Sequence, residues 1–226
     1  MERSDYLQLD LLTNLFEKNR NETNAGPMES YMKGHFPFLG IKSPLRKELE
    51  KQFFKESGIL KESFNRDFVS ELWDKREREY QYTALTYIEK SLNKLEKHDL
   101  EFMKRLIMTK SWWDTVDAIA PKAVGKITQK HPEVVEETLN SWAEHNYMWL
   151  RRAAILFQLK YKEKTNEELL YQYIGLNADS KEFFIQKAIG WALREYSKSN
   201  PASVKAFIEG HRLAPLSVRE GSKYVG

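Results

Sequence analysis

The chain reads TVDAI at 115–119, LRRAA at 150–154 and IQKAI at 185–189, three blocks of like pattern set 35 residues apart. Their third positions hold Asp117, Arg152 and Lys187 in turn. A weaker copy, YQYTA at 80–84, lies one period upstream with Tyr82 in that place. A fixed period of this size marks a stacked helical repeat, in which equivalent positions line one surface. Working outward, apolar residues recur every three or four positions at 7–16, 68–73, 82–92, 102–108, 153–161 and 188–196, the period of an amphipathic helix. Gly, Asn and Pro place breaks at 20–27, 34–40, 57–66, 93–99, 130–132, 145–147, 162–167, 176–181 and 199–201. Ser43-Pro44 reads as an N-cap before a first-turn proline, and His131-Pro132-Glu133 and Asn200-Pro201 as restarts. The segment HFPFLGIK at 35–42 is the least helical and reads as a packed connection.

The expectation is therefore all-α: roughly ten to twelve helices in pairs, forming an α-solenoid of HEAT-like repeats over a single domain, 1–226. Such arrays curve and offer a concave binding face. No apolar run approaches the ~20 residues a membrane span requires, and the opening MERSDYLQLD does not read as a signal peptide. The chain has no cysteine, which excludes disulfides, thiolate metal sites and cysteine nucleophiles and fits a cytoplasmic protein. The net charge of +3 is mild, and the two halves carry 20 basic against 19 acidic and 16 against 14 side chains. An anionic partner would have to meet bases gathered on one face. The five histidines have no metal-ligand spacing, and neither a nucleophile elbow nor a glycine-rich phosphate loop is present. No cofactor or metal is expected.

The heptapeptide SWWDTVD at 111–117 sets Trp113 one helical turn before Asp117, on the same face, and Trp191 follows Lys187 by the same interval. The plain reading of Asp117 and Arg152 is an interhelical ion pair. The tryptophans argue for more, because indole faces and a carboxylate together favour a cation. Arg152, Lys160, Lys187 and Arg194 would form an anion-binding rim, with Arg152 and Lys160 two turns apart on one helix side. A cation-favouring pocket inside such a rim suits a polyanion that carries a local positive charge, and alkylated purine in DNA is one.

SWWDTVD, followed by WLRRAAILFQLKYK at 149–162 and KEFFIQKAIGWALREY at 181–196, resembles the AlkD-type alkylpurine DNA glycosylases. The likeness extends to MESYMKGHFPFLGI at 28–41 and ELWDKREREYQ at 71–81. The resemblance implies HEAT-like repeats around duplex DNA. It also implies hydrolysis of the N-glycosidic bond of cationic N3- and N7-alkylated purines, leaving an abasic site while the base stays in the duplex. On matching motif positions it implies that Trp113, Asp117 and Trp191 are the catalytic trio, with Arg152 beside the lesion strand. Tyr31, Lys160, Phe183, Phe184, Lys187 and Arg194 fall on the implied DNA face. An alkylpurine cation leaves as a neutral base, so one carboxylate suffices where sugar hydrolases use two. Arg152 could hold a flanking phosphate or orient Asp117, and the sequence leaves both roles open. Two rivals fit the same residues: a DNA-damage-binding protein without excision, and a scaffold for a protein partner. The preferred reading is a monomer acting on double-stranded DNA, with no membrane and no obligate protein partner.

Overall fold

A computed structural model describes residues 3–225, with side chains from residue 8 onward. These residues form helices and connections with no strand among them, and none of the helices is long and apolar enough to cross a membrane. The chain divides into two compact units, Met1–Lys94 and Leu95–Gly226.

The first unit contains α1 (Arg3–Glu17), α2 (Glu22–Tyr31), α3 (Ser43–Ser57), α4 (Arg66–Asp74) and α5 (Arg78–Lys90). Its core is aromatic. Phe53 stacks on Phe68 at 5.7 Å, Phe68 meets Tyr87 edge-on at 5.4 Å, and Phe16 tilts against Tyr80 at 5.4 Å. The segment 35–42 is the packed connection its composition predicts, with Phe38, Leu39 and Ile41 buried. What fixes it is the fully buried carboxylate of Glu79, which accepts the backbone N–H groups of Leu39 (3.0 Å), Gly40 (2.9 Å) and Ile41 (3.0 Å). Gly40 has φ +83°, and a Cβ there would lie 1.9 Å from the Asn21 carbonyl oxygen, so only glycine fits. Glu79→Gln keeps the shape but turns an amide NH₂ toward one of these N–H donors. Each buried donor left unpaired costs about 1–3 kcal/mol, which at about 2–4 °C per kcal/mol for a chain of this length corresponds to a fall of about 2–12 °C in Tm. Thermal melting followed by circular dichroism checks this, and an unchanged Tm would show that the loop does not depend on the carboxylate.

The second unit contains α6 (Asp99–Met108), α7 (Trp113–Ile119), α8 (Gly125–Lys130), α9 (Asn140–Ala143), α10 (Met148–Leu156), α11 (Glu167–Asn177), α12 (Phe183–Tyr196), α13 (Pro201–Gly210) and α14 (Pro215–Gly221). Side-chain bonds join residues one repeat apart. Tyr161 donates to the Gly125 carbonyl (2.6 Å), Asn177 to the Ala143 carbonyl (2.9 Å), and Tyr173 to Asn140 (2.8 Å). Their separations of 36, 34 and 33 residues are the register of stacked helix pairs. Within this unit the arrangement is that of an α-solenoid.

Several details differ from the sequence reading. Ser43 is the first residue of α3 rather than its cap, which is Lys42 without a side-chain bond. The proline-containing stretch 20–27 does not stay open: Asn21 caps the Asn24 N–H at 3.1 Å and α2 runs through Pro27. Asn65, Asn166 and Asn200 likewise cap α4, α11 and α13, so these breaks work through asparagine. The apolar run at 153–161 is helical only to Leu156, and its buried remainder is a turn. Fourteen α-helical segments are described, more than ten to twelve. One reason is a π-helical stretch, Ala120–Val124, that joins α7 to α8. Pro121 has no N–H for the Asp117 carbonyl four residues earlier, and the Gly125 N–H reaches back five residues to Ala120.

Candidate active site

The SWWD turn is set up before α7 begins. Lys110 takes a left-handed φ of +50° to end the α6 connection, and the Ser111 hydroxyl lies 2.7 Å from that of Tyr147. Trp112 is extended and packs its ring against Trp149 of α10 (5.8 Å) and Phe184 of α12 (5.2 Å), which also face each other at 5.0 Å. This aromatic cluster joins the three helices that carry the polar part of the site.

Beside it, Arg152 and Asp117 form a bidentate pair. Nε donates to Oδ1 and Nη2 to Oδ2, both at 2.7 Å. Nη1 donates to the Phe184 carbonyl at the start of α12, and the guanidinium carbon lies 5.8 Å from the Phe184 ring centroid. One arginine thus ties α7, α10 and α12 together. Its side chain is 5% exposed and that of Asp117 15%. Fork-to-fork geometry of this kind is the strongest form of the ion pair and fixes the plane of the carboxylate. Burial pushes the Asp117 carboxyl above its ordinary range, against the pull of the Arg152 bond and charge, and Asp114 adds a smaller upward push.

The pair bears on the role of Arg152, which the sequence leaves open. Arg152 is buried with all three guanidinium nitrogens engaged, so it orients Asp117 and is not placed to hold an external phosphate. Trp113 is the first residue of α7 and half-buried, one turn before Asp117. Trp191 is half-buried on α12, two turns after Phe184 and therefore on the same side of that helix. Phe184 differs from the reading of it as a DNA-face residue: its ring packs in the tryptophan cluster and its carbonyl serves Arg152. Phe183, beside it, is 56% exposed.

Lys187 and Arg194 are on α12 as expected, but each is paired with Glu220 of α14, at 3.2 and 3.3 Å. Lys160 is exposed in the turn after α10 ends, so it does not continue the Arg152 face of that helix, contrary to the two-turn spacing argument. Tyr31 belongs to the first unit, where it ends α2, is 70% exposed and lines a concavity with Met28, Phe38, Arg46 and Tyr82. Tyr82 holds the position that Asp117 holds one period later, and Arg46 covers its ring at 4.5 Å. The sequence reading missed Glu220, the Phe184 carbonyl and Pro121. Glu220 lies 33 residues beyond Lys187, two short of the next step of the row 117, 152, 187, which falls on Ser222, so the period alone does not find it.

A solved structure of a predicted DNA alkylation repair enzyme from Enterococcus faecalis is similar, with 36% sequence identity and a TM-score of 0.82 over 92% of this chain and 97% of that one. No curated protein sequence matches the chain. The family model for DNA alkylation repair enzymes matches residues 12–225, nearly the whole length. The chain belongs to the DNA alkylation repair enzyme family.

Proposed function

We propose that this protein is an AlkD-type DNA glycosylase that hydrolyses the N-glycosidic bond of cationic N3- and N7-alkylated purines in duplex DNA. The observation that carries the reading is the buried Asp117–Arg152 pair, presented on the helices that bear Trp113 and Trp191. In this reaction the bond from the sugar C1′ to the purine nitrogen breaks and its electron pair leaves with the base. The base arrives as a cation and departs neutral, so it requires no general acid. The positive charge passes to the deoxyribose, where the Asp117 carboxylate stabilises it and Trp113 and Trp191 offer their ring faces. Water adds to C1′ and loses a proton, leaving an abasic site. No step uses a metal or cofactor. Contact through sugar and backbone rather than the base edge is what lets the base remain in the duplex, unlike enzymes that extrude their target. The whole chain would then act as one HEAT-like array, as a monomer, with Tyr31, Phe183, Lys160, Lys187 and Arg194 facing DNA.

A second reading, damage binding without excision, is favoured by one observation: both Asp117 oxygens are already occupied by Arg152. Free-base release separates the two. Incubating the wild-type protein with duplex carrying 7-methylguanine or 3-methyladenine is expected to give free methylated base and abasic sites, with no release from unmodified duplex. Binding without release at any enzyme concentration would leave the second reading standing. Binding that is insensitive to salt would count against both, because phosphate contacts impose a steep negative slope.

A further inference from the structure

Glu220 gathers three cations on one carboxylate: Lys187 at 3.2 Å, Arg194 at 3.3 Å and Lys223 at 2.8 Å. Its own carboxyl is held down to about 2, first by the Lys223 bond and then by that of Lys187. The cluster depends on close approach of α14 to α12. A Cβ at Gly190 would lie 2.5 Å from the Cβ of Glu220 and 3.1 Å from the Ser217 carbonyl oxygen, so glycine is what permits the contact. The Ser217 hydroxyl donates to the Gln186 carbonyl at 2.9 Å and locks the helices in that position. At about 100° per residue, Lys187 and Arg194 lie within about 20° of one another around α12. Gly190 and α14 lie on one flank of them, and Trp191 on the other. The cation side chains remain 38%, 27% and 46% exposed. Each is thus held from one side and open on the other, and the cluster of four carries a net charge of +2.

We propose that Glu220 is a positioning residue that holds Lys187 and Arg194 as a ready-made phosphodiester-binding pair beside Trp191. The inference rests on the reading of this face as the DNA-binding one. Two long cations side by side repel, and each loses rotamer freedom when a phosphate orders it. A carboxylate between them removes the repulsion and does the ordering when the protein folds, before DNA arrives. The phosphate then meets fixed donors next to the sugar that Trp191 contacts.

The test compares wild type, Glu220→Gln and Glu220→Asp with unmodified duplex and with duplex carrying 7-methylguanine, at one fixed ionic strength. Glu220→Gln is expected to raise Kd for both duplexes, and KM for base release, about five- to tenfold, while the single-turnover rate at saturating protein stays within about twofold. Glu220→Asp keeps the charge and is expected to fall between the two. In a Lys187→Ala/Arg194→Ala background, Glu220→Gln is expected to have no further effect on Kd. Unchanged or tighter binding by both Glu220 variants would overturn the inference, since tighter binding is what simple removal of a negative charge predicts. Loss of single-turnover rate at unchanged Kd would overturn it as well. If Glu220→Gln does not fold, Glu220→Asp and the double-alanine background carry the test. Because the Kd arm uses unmodified duplex, it is read independently of whether wild type releases any base.

Discussion

Asp117→Asn is expected to reduce release of 7-methylguanine from methylated duplex by about 10²–10³-fold, the range associated with losing one preorganised group that faces developing charge. The substitution keeps the size of the side chain and one carbonyl oxygen, so one of the two bonds from Arg152 survives. The other is replaced by an amide NH₂ facing a guanidinium N–H, two donors in opposition. No anion is then left to stabilise positive charge on the sugar. A structural cost accompanies the catalytic one, because the arginine stays buried without a counter-charge, and breaking such a pair costs about 3–5 kcal/mol. The measurement must therefore separate the two. Single-turnover release is followed by chromatography of free bases, with a thermal melt and duplex binding on the same preparation. The expected variant is folded at the assay temperature, binds duplex within a few-fold of wild type, and releases almost nothing. A folded Asn variant that releases base within threefold of wild type would remove Asp117 from the chemistry.

The helical repeat was legible because it is written in one-dimensional periodicity. A bond such as Arg152 to Asp117 spans 35 residues, the interval at which TVDAI becomes LRRAA, so the register of the stack could be counted. What periodicity does not encode is how a break is resolved. Pro27 and Pro121 look alike as interruptions, yet α2 runs through the first and a π-helical turn absorbs the second. The turn after Leu156 still carries apolar residues at 157 and 159, because Phe157 and Leu159 are buried whether or not the backbone stays helical. Composition reports burial there and says nothing of φ and ψ.

The site was half legible for a related reason. Side chains at one repeat position announce themselves, and Asp117, Arg152 and Lys187 did so. Backbone groups and close approaches do not. The Phe184 carbonyl, which takes the third nitrogen of Arg152, is chemically the same as any other carbonyl in the chain. That engagement is what turns Arg152 from a surface cation into a buried one. Glycine at 190 is mute until α14 is seen against it, and with it the reason that Glu220 meets Lys187 and Arg194. Tyr31 belongs to the first unit and Asp117 to the second, so grouping them as one DNA face remains part of the proposal.

Arg152→Ala is the second large effect expected, and its pH dependence identifies the cause. Burial drives the Asp117 carboxyl upward, and the guanidinium is the main force holding it back. Without the arginine, the carboxyl moves further above its unfolded value of about 3.9. Base release by the variant at neutral pH is expected to fall about 10²-fold, with the acid limb of its rate profile displaced upward, so that part of the loss is recovered at alkaline pH. Arg152→Lys restores a charge but not the fork, nor the reach to the Phe184 carbonyl, and is expected to recover only a small part. Stability follows the same group. A carboxyl whose folded pKa is raised contributes stability that is fully present below its unfolded pKa and is lost as pH rises through the folded one. The Tm deficit of Arg152→Ala relative to wild type is therefore expected to be smaller at about pH 5 than at about pH 8, because a carboxyl pushed further upward carries less of the buried, unpaired negative charge at the lower pH. Melts of both proteins across that interval measure it. A deficit that is constant with pH would mean that Arg152 supports the fold through packing on Phe184 alone, and that the buried ion pair does not set the charge of the carboxylate proposed to act on the sugar.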